Sequence, residues 1–187
     1  MLRLLHALIL GIVGAGIVHI VVLLLIPHYS EQDAWTLISE VGPAYAMVPL
    51  KDSTAGEAVL SDADPMFDVA ACRFDLSDGT VHITADGRVP FWSLSVFDRR
   101  GSNIYSLNDR SAADGQLDIV IATPVQILEL RKAPPEQYES SVIIEADTQE
   151  GIAVLRSFVP DATWAPIVAR HLSSTGCESA SERPVPE

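Results

Sequence analysis

The sequence predicts a mostly β protein: an antiparallel β-sandwich or jelly-roll-like domain with one N-terminal transmembrane helix and a C-terminal amphipathic helix. Three observations carry this expectation. Leu4 to Ile26 is an almost unbroken apolar run, LLHALILGIVGAGIVHIVVLLLI. From Phe67 onward, candidate strands recur every 8 to 14 residues with turn chemistry between them, the spacing of an antiparallel sandwich rather than of βαβ units. Near the end, Trp164, Ile167, Val168 and Leu172 fall on one face of a helix.

At about 1.5 Å per residue the first run crosses a hydrocarbon core of roughly 30 Å. Arg3 precedes it, whereas Glu31, Asp33 and Glu40 follow, with no Lys or Arg until Lys51. That charge bias leaves the amino end in the cytoplasm and exports the rest. The expected location is a bacterial inner membrane, with the C-terminal domain in the periplasm. A cleaved signal peptide is the competing reading, but its usual apolar stretch is about 7 to 15 residues, and IPHYSEQD offers no small-x-small cleavage site. Within the run, Ala7, Gly11, Ala15 and His19 recur every four residues and form one ridge of the helix. Small residues at this spacing let two backbones approach in lipid, so the ridge is a candidate contact with its own copy or another envelope protein. Gly and Ala are also simply common in membrane helices. His19, ionisable near mid-membrane, is expected to face protein or water.

Removing Arg3 from the 12 basic residues leaves 11 against 25 acidic, so the exported part carries about −14. Such a charge argues against nucleic acid and against docking on anionic headgroups. The length beyond the span suits one domain. The expected divisions are an anchor over 1–28, a juxtamembrane helix and linker over 29–64, the β-domain over 65–173 and a tail over 174–187.

In order, Ser30 caps a short helix bearing Trp35, Ile38 and Val41, which Gly42-Pro43 ends. Tyr29 and Trp35, flanking the apolar run, favour the headgroup level. Tyr45 to Leu50 is a candidate short strand and Lys51 to Asp64 reads as a loop. Phe67 to Leu76 alternates, with Ala70, Cys72, Phe74 and Leu76 inward and Arg73 and Asp75 among the residues facing water. Asp78-Gly79 signals a type I′ hairpin into Thr80 to Ala85. Pro90 to Asp98 is apolar on both faces, as a central strand is, and Asp98-Arg99-Arg100-Gly101 turns it into Asn103 to Leu107. Leu117 to Ala122, Pro124 to Arg131 and Ser141 to Ala146 read as further strands. Gly151 to Val159 is open: Val154 and Phe158 fit a helix, while Gly151, the β-branched content and Pro160 fit a strand. Thr163 to Leu172 is the amphipathic helix, with Asp161 as its cap.

The stretch DPMFDVAACRFDLSDGTVHITADGRVPFWSLSVFDRRGSNIYSLNDR, with VLRSFVPDATW near the end, resembles a bacterial envelope family known only as domain of unknown function 1254. The resemblance covers roughly Asp64 to Leu172 and points to that family's short form, with one amino-terminal membrane helix and a single domain. Longer members have a second, jelly-roll-like domain, so an activity needing both halves implies a separately encoded partner here. The resemblance carries over no catalytic residues.

The residues themselves offer little chemistry. His6, His19, His28, His82 and His171 form no metal-ligand spacing, and no Gly-x-Ser-x-Gly, phosphate loop or Cys-x-x-Cys occurs. No cofactor is expected. The densest polar group is Asp98, Arg99 and Arg100, with Asn103, Asn108, Asp109 and Arg110 following. Two guanidiniums beside carboxylates suit an anionic sugar, phosphate or carboxylate; a solvated turn whose charges pair locally is the simpler account. Two functional classes remain, a non-enzymatic envelope interaction module and an enzyme or receptor for an anionic envelope component, and the missing motifs favour the first. Finally, Cys72 and Cys177 both lie beyond the span, where thiols are oxidised in pairs. A bridge would staple the tail to the sheet; the alternative is a buried, inert Cys72 and a free or modified Cys177.

Overall fold

The computed structural model describes residues 2–29, 34–51, 56 and 64–180. The chain divides into two compact units, residues 1–33 and residues 34–187. The first is a single helix, α1 (Leu2–Tyr29). Its segment Leu2–Leu25 has a mean hydropathy of 2.8 and buries no residue within the chain, a candidate span by length and composition.

The second unit is largely β. A five-stranded sheet has the order β1-β2-β8-β4-β5, built from β1 (Val48–Pro49), β2 (Phe67–Asp75), β8 (Glu150–Phe158), β4 (Trp92–Asp98) and β5 (Asn103–Asn108). All its neighbours run antiparallel. A four-stranded sheet has the order β7-β6-β3-β9, from β7 (Val142–Glu145), β6 (Leu117–Ala122), β3 (Val81–Ala85) and β9 (Gly176–Ser179). Here β3 pairs antiparallel with β6 and β9, while β6 and β7 are parallel.

Period two explains the core. Ala70, Cys72 and Phe74 of β2, Leu94 and Val96 of β4 and Leu155 of β8 bury with Val81 and Ile83 of β3 and Ile119 and Ile121 of β6. Both sheets thus contribute to one apolar cluster. The opposite face of β2 is covered too: Val69 and Ala71 pack with Leu50, Ile152 and Ile38. Ile38 belongs to α2 (Ala34–Val41), whose burial of that side chain alone contributes about 1.5–3 kcal/mol. Consequently the expected water-facing side of β2 lies under a helix. The compact unit begins at Ala34 rather than near Pro65, because α2 and β1 complete the five-stranded sheet. The proposed Ser30 cap and most of the expected loop over Lys51 to Asp64 lie outside the described residues.

Three other expectations are corrected and one open reading is resolved. Asp78-Gly79 does not close a hairpin, since β2 and β3 belong to different sheets. Leu76–Asp78 instead form a 3-10 turn that starts with the Ser77 amide donating to the Asp75 carboxylate. Gly79, at φ 130°, supplies the positive φ that sends the chain to the other sheet. Pro124 to Arg131 is not a strand but part of α3 (Pro124–Lys132). Thr123 and Gln126 form a capping box there, and Pro124 fits the first turn where its missing N–H costs nothing. The path from β6 through α3 to the parallel β7 is therefore a βαβ crossover inside a mainly antiparallel protein. Gly151 to Val159 resolves as strand: β8 occupies the middle of its sheet, hydrogen-bonded to β2 and β4. The tail expected over 174–187 contains β9, so the helix α4 (Ala165–Ser174), which buries Val168, His171 and Leu172, is not the last element. Asp161 accepts from the Thr163 amide and hydroxyl just upstream of that helix.

Candidate functional site

The turn between β4 and β5 holds the polar residues singled out above, and the fold gives each a different task. Gly101 has φ 81°, which closes the turn as its amide donates to the Asp98 carbonyl. The Asp98 carboxylate accepts from the amides of Ser102 at 2.8 Å and Arg100 at 2.9 Å. The Ser102 amide foremost, with that of Arg100, holds this carboxyl below its usual range. Asp98 is therefore engaged in shaping the turn. Arg99 reaches back over the sheet, its Nε 3.4 Å from Glu150 of β8 and its guanidinium 5.1 Å from the centre of the Trp35 ring of α2. Arg100 is exposed. The three residues do not converge as a single anion clamp.

Arg73 completes the picture and was absent from the expected site. It stands on β2, and its guanidinium also lies 5.1 Å from the centre of Trp35. The register places Arg73 opposite Ile152 and Phe97 opposite the same residue, so β2, β8 and β4 bring the two arginines to one region under α2. Sequence reasoning missed this because Arg73 precedes Arg99 by two strands and shares no local motif with it.

A second polar cluster lies on the four-stranded sheet. His82 Nε2 is 2.9 Å from Asp118 Oδ1. The hydroxyls of Ser141 and Ser140 donate to the same carboxylate, the latter at 3.1 Å, and the Tyr138 ring packs edge-on against the imidazole at 5.0 Å. Burial alone raises the Asp118 carboxyl, but the hydrogen bonds from Ser141, His82 and Ser140 outweigh it and hold the group low. Serine, histidine and aspartate meet here without the order of a nucleophilic triad, in which the imidazole, not the carboxylate, takes the serine proton. The serines instead tie the start of β7 to β6 through Asp118. His82 is thus an engaged, half-buried sheet residue.

Among the other expected residues, Cys72 of β2 and Cys177 of β9 form a disulfide. Ala7, Gly11, Ala15 and His19 all lie on α1 and are exposed; a Cβ at Gly11 would meet nothing within 4 Å. His171 is buried on α4 and its Nδ1 lies 3.1 Å from the Asp86 carbonyl. Among the described residues, no group of three or more His, Cys, Asp and Glu side chains is placed to hold a metal ion.

No family model matches the chain, and no curated protein matches it either. Among solved structures it is similar to the VPA0106 protein from Vibrio parahaemolyticus, at 12% identity and a TM-score of 0.58, covering 81% of this chain and 36% of that one. It also matches an uncharacterised protein from Burkholderia cenocepacia, at 16% identity and a TM-score of 0.41, over 66% of this chain and 32% of that one. The chain thus spans about a third of the length of each. The first likeness defines a shared β-rich fold and carries no function.

Proposed function

We propose that this chain is a membrane-anchored, periplasm-facing β-sandwich that serves as a non-enzymatic interaction or accessory module of a bacterial envelope. The observation that carries the reading is the combination of an apolar, wholly uncovered helix, Leu2–Leu25, with a separate compact unit whose prominent polar side chains serve internal contacts. An apolar helix of this length that buries nothing in its own chain needs a cover, and a bilayer fits it. Support for the sandwich comes from the single core to which both sheets contribute. Acidity beyond the span and Arg3 before it support export into the periplasm. The segments FWSLSVFDRRGSNIYS and VLRSFVPDATW support placing the chain in the short form of domain of unknown function 1254. The competing reading, an enzyme or receptor for an anionic component at Asp98, Arg99 and Arg100, is weakened because the three do not converge and the Asp98 carboxylate is spent on shaping the turn.

Purification from bacterial membranes in mild detergent tests the module. The expected result is co-purification with a second envelope protein, or with a second copy, and loss of that association in Gly11→Leu but not in Val21→Leu. Recovery in the soluble fraction overturns the anchor, and equal behaviour of both variants overturns the ridge.

A further inference from the structure

Arg73 is half-buried on the face of β2 that α2 covers, and its Nε is enclosed without a hydrogen-bond partner. Among the described residues, the carboxylates that strand pairing brings near it are committed elsewhere. Glu150 pairs with Arg99, and Asp75, directly across from Glu150 in the β2–β8 register, accepts from the Ser77 amide at 2.8 Å. Arg73 and Arg99 both stand 5.1 Å from the centre of one indole. Cation–π attraction offsets part of the cost of bringing two like charges together, but it supplies no acceptor for the enclosed N–H. A guanidinium withdrawn from water with an unmet donor is stabilised by an oxyanion.

We propose that Arg73 and Arg99, gathered at Trp35, form a binding site for a phosphate-type oxyanion. After one guanidinium has taken two of its oxygens, a tetrahedral oxyanion still presents a further oxygen to a second cation, whereas a carboxylate must share the same two. Glu150, with its side chain 43% exposed, is an internal competitor for Arg99. Its displacement gives the site a lock that an incoming phosphate opens. Arg100, exposed at the next residue of the turn, takes no part. The proposal is independent of the interaction-module reading, since a module with or without partners can carry an anion site.

The test is an NMR titration of the full chain in nanodiscs, following the Nε–Hε signal of Arg73 at constant ionic strength. In phosphatidylcholine discs, inorganic phosphate should shift that signal saturably. Arg99→Gln should weaken the response about tenfold, Glu150→Gln should strengthen it several-fold, and Arg100→Gln should leave it within about twofold. Phosphatidylglycerol discs without added phosphate distinguish the source: a shifted signal there assigns the oxyanion to a lipid headgroup, and a shift only on adding phosphate assigns it to a soluble group. A signal unmoved in both discs overturns the site. So does a shift that chloride reproduces, or one that Arg99→Gln and Glu150→Gln leave unchanged.

Discussion

Cys72 in β2 and Cys177 in β9 are covalently joined across the two sheets, with their Cα atoms 6.6 Å apart. Both are nearly inaccessible, at 0% and 3% exposed, so the bond sits inside the shared core. It spans 105 residues of chain. In the chain-entropy account, closing a loop of about this length stabilises by up to about 4.7 kcal/mol. The double variant Cys72→Ala and Cys177→Ala should therefore lose about 3–5 kcal/mol in denaturant unfolding, with β9 amides losing exchange protection first. A loss under about 1 kcal/mol would mean that pairing with β3 secures β9 alone.

Asp118 should make stability depend on acid. Its carboxyl is held below the ordinary value of 3.8, so its contribution is fully present above the unfolded-state value. That contribution disappears as pH falls through the lower folded-state value, when protonation releases His82, Ser140 and Ser141. Asp118→Asn should cost about 1–2 kcal/mol at neutral pH, as damage to a partly buried hydrogen-bond network does, and should flatten the stability profile below about pH 4. Thermal melts of both proteins across that range measure it; parallel profiles would assign the acid loss to other carboxylates.

Gly151 is required by packing rather than by its backbone angles. A Cβ there would stand 2.5 Å from the end of the Phe74 ring and 2.8 Å from the Phe97 carbonyl oxygen. Phe74 is its direct partner across the β2–β8 pairing and is wholly buried, so the ring has nowhere to retreat. Gly151→Ala should destabilise by about 1–3 kcal/mol, the usual cost of overpacking a core. An unchanged melting temperature would show that Phe74 repacks freely.

Trp35 ties α2 to the sheet. It packs beside Ile38 on the second apolar cluster while two guanidiniums lie 5.1 Å from its ring. Trp35→Ala should cost about 2 kcal/mol, less than a fully buried aromatic, and should raise hydrogen exchange in Ala34–Val41 well before the rest of the domain. Trp35→Phe should recover most of the packing. Uniform exchange changes throughout the domain would argue that α2 folds as part of one cooperative unit.

The amino-acid sequence by itself determined the elements whose signals are local. The run Leu4 to Ile26 is apolar whatever surrounds it, and it forms α1. Alternation marked β2 and β3 close to their observed bounds, because period two reports which side chains leave water, while apolar runs set between turn residues marked β4, β5, β6 and β7. Turn chemistry at Asp98 to Gly101 predicted the β4–β5 hairpin for the same reason. The two cysteines were expected to pair from their number and from the oxidising compartment that the charge bias predicts.

Tertiary structure decided what depends on residues distant in the chain. Asp78-Gly79 carries a hairpin signal, yet Leu76 buries and the chain crosses to the second sheet, since core burial outweighs a two-residue turn preference. Pro124 to Arg131 has enough apolar residues for a strand and a local helix signal in the Thr123–Gln126 capping box, and the need to reach a parallel β7 decides for the helix. β8 remained ambiguous because both its faces are covered, Ala153 and Leu155 by the shared core and Ile152 by the second cluster, which removes clean alternation. Neither polar cluster was legible: Arg73 meets Arg99 only through the β2–β8–β4 register, and His82 meets Asp118, Ser140 and Ser141 only through β3–β6 pairing and the crossover to β7. Side chains that approach through strand pairing leave no spacing in the sequence, because register is set by the whole core and not by the residues that it brings together.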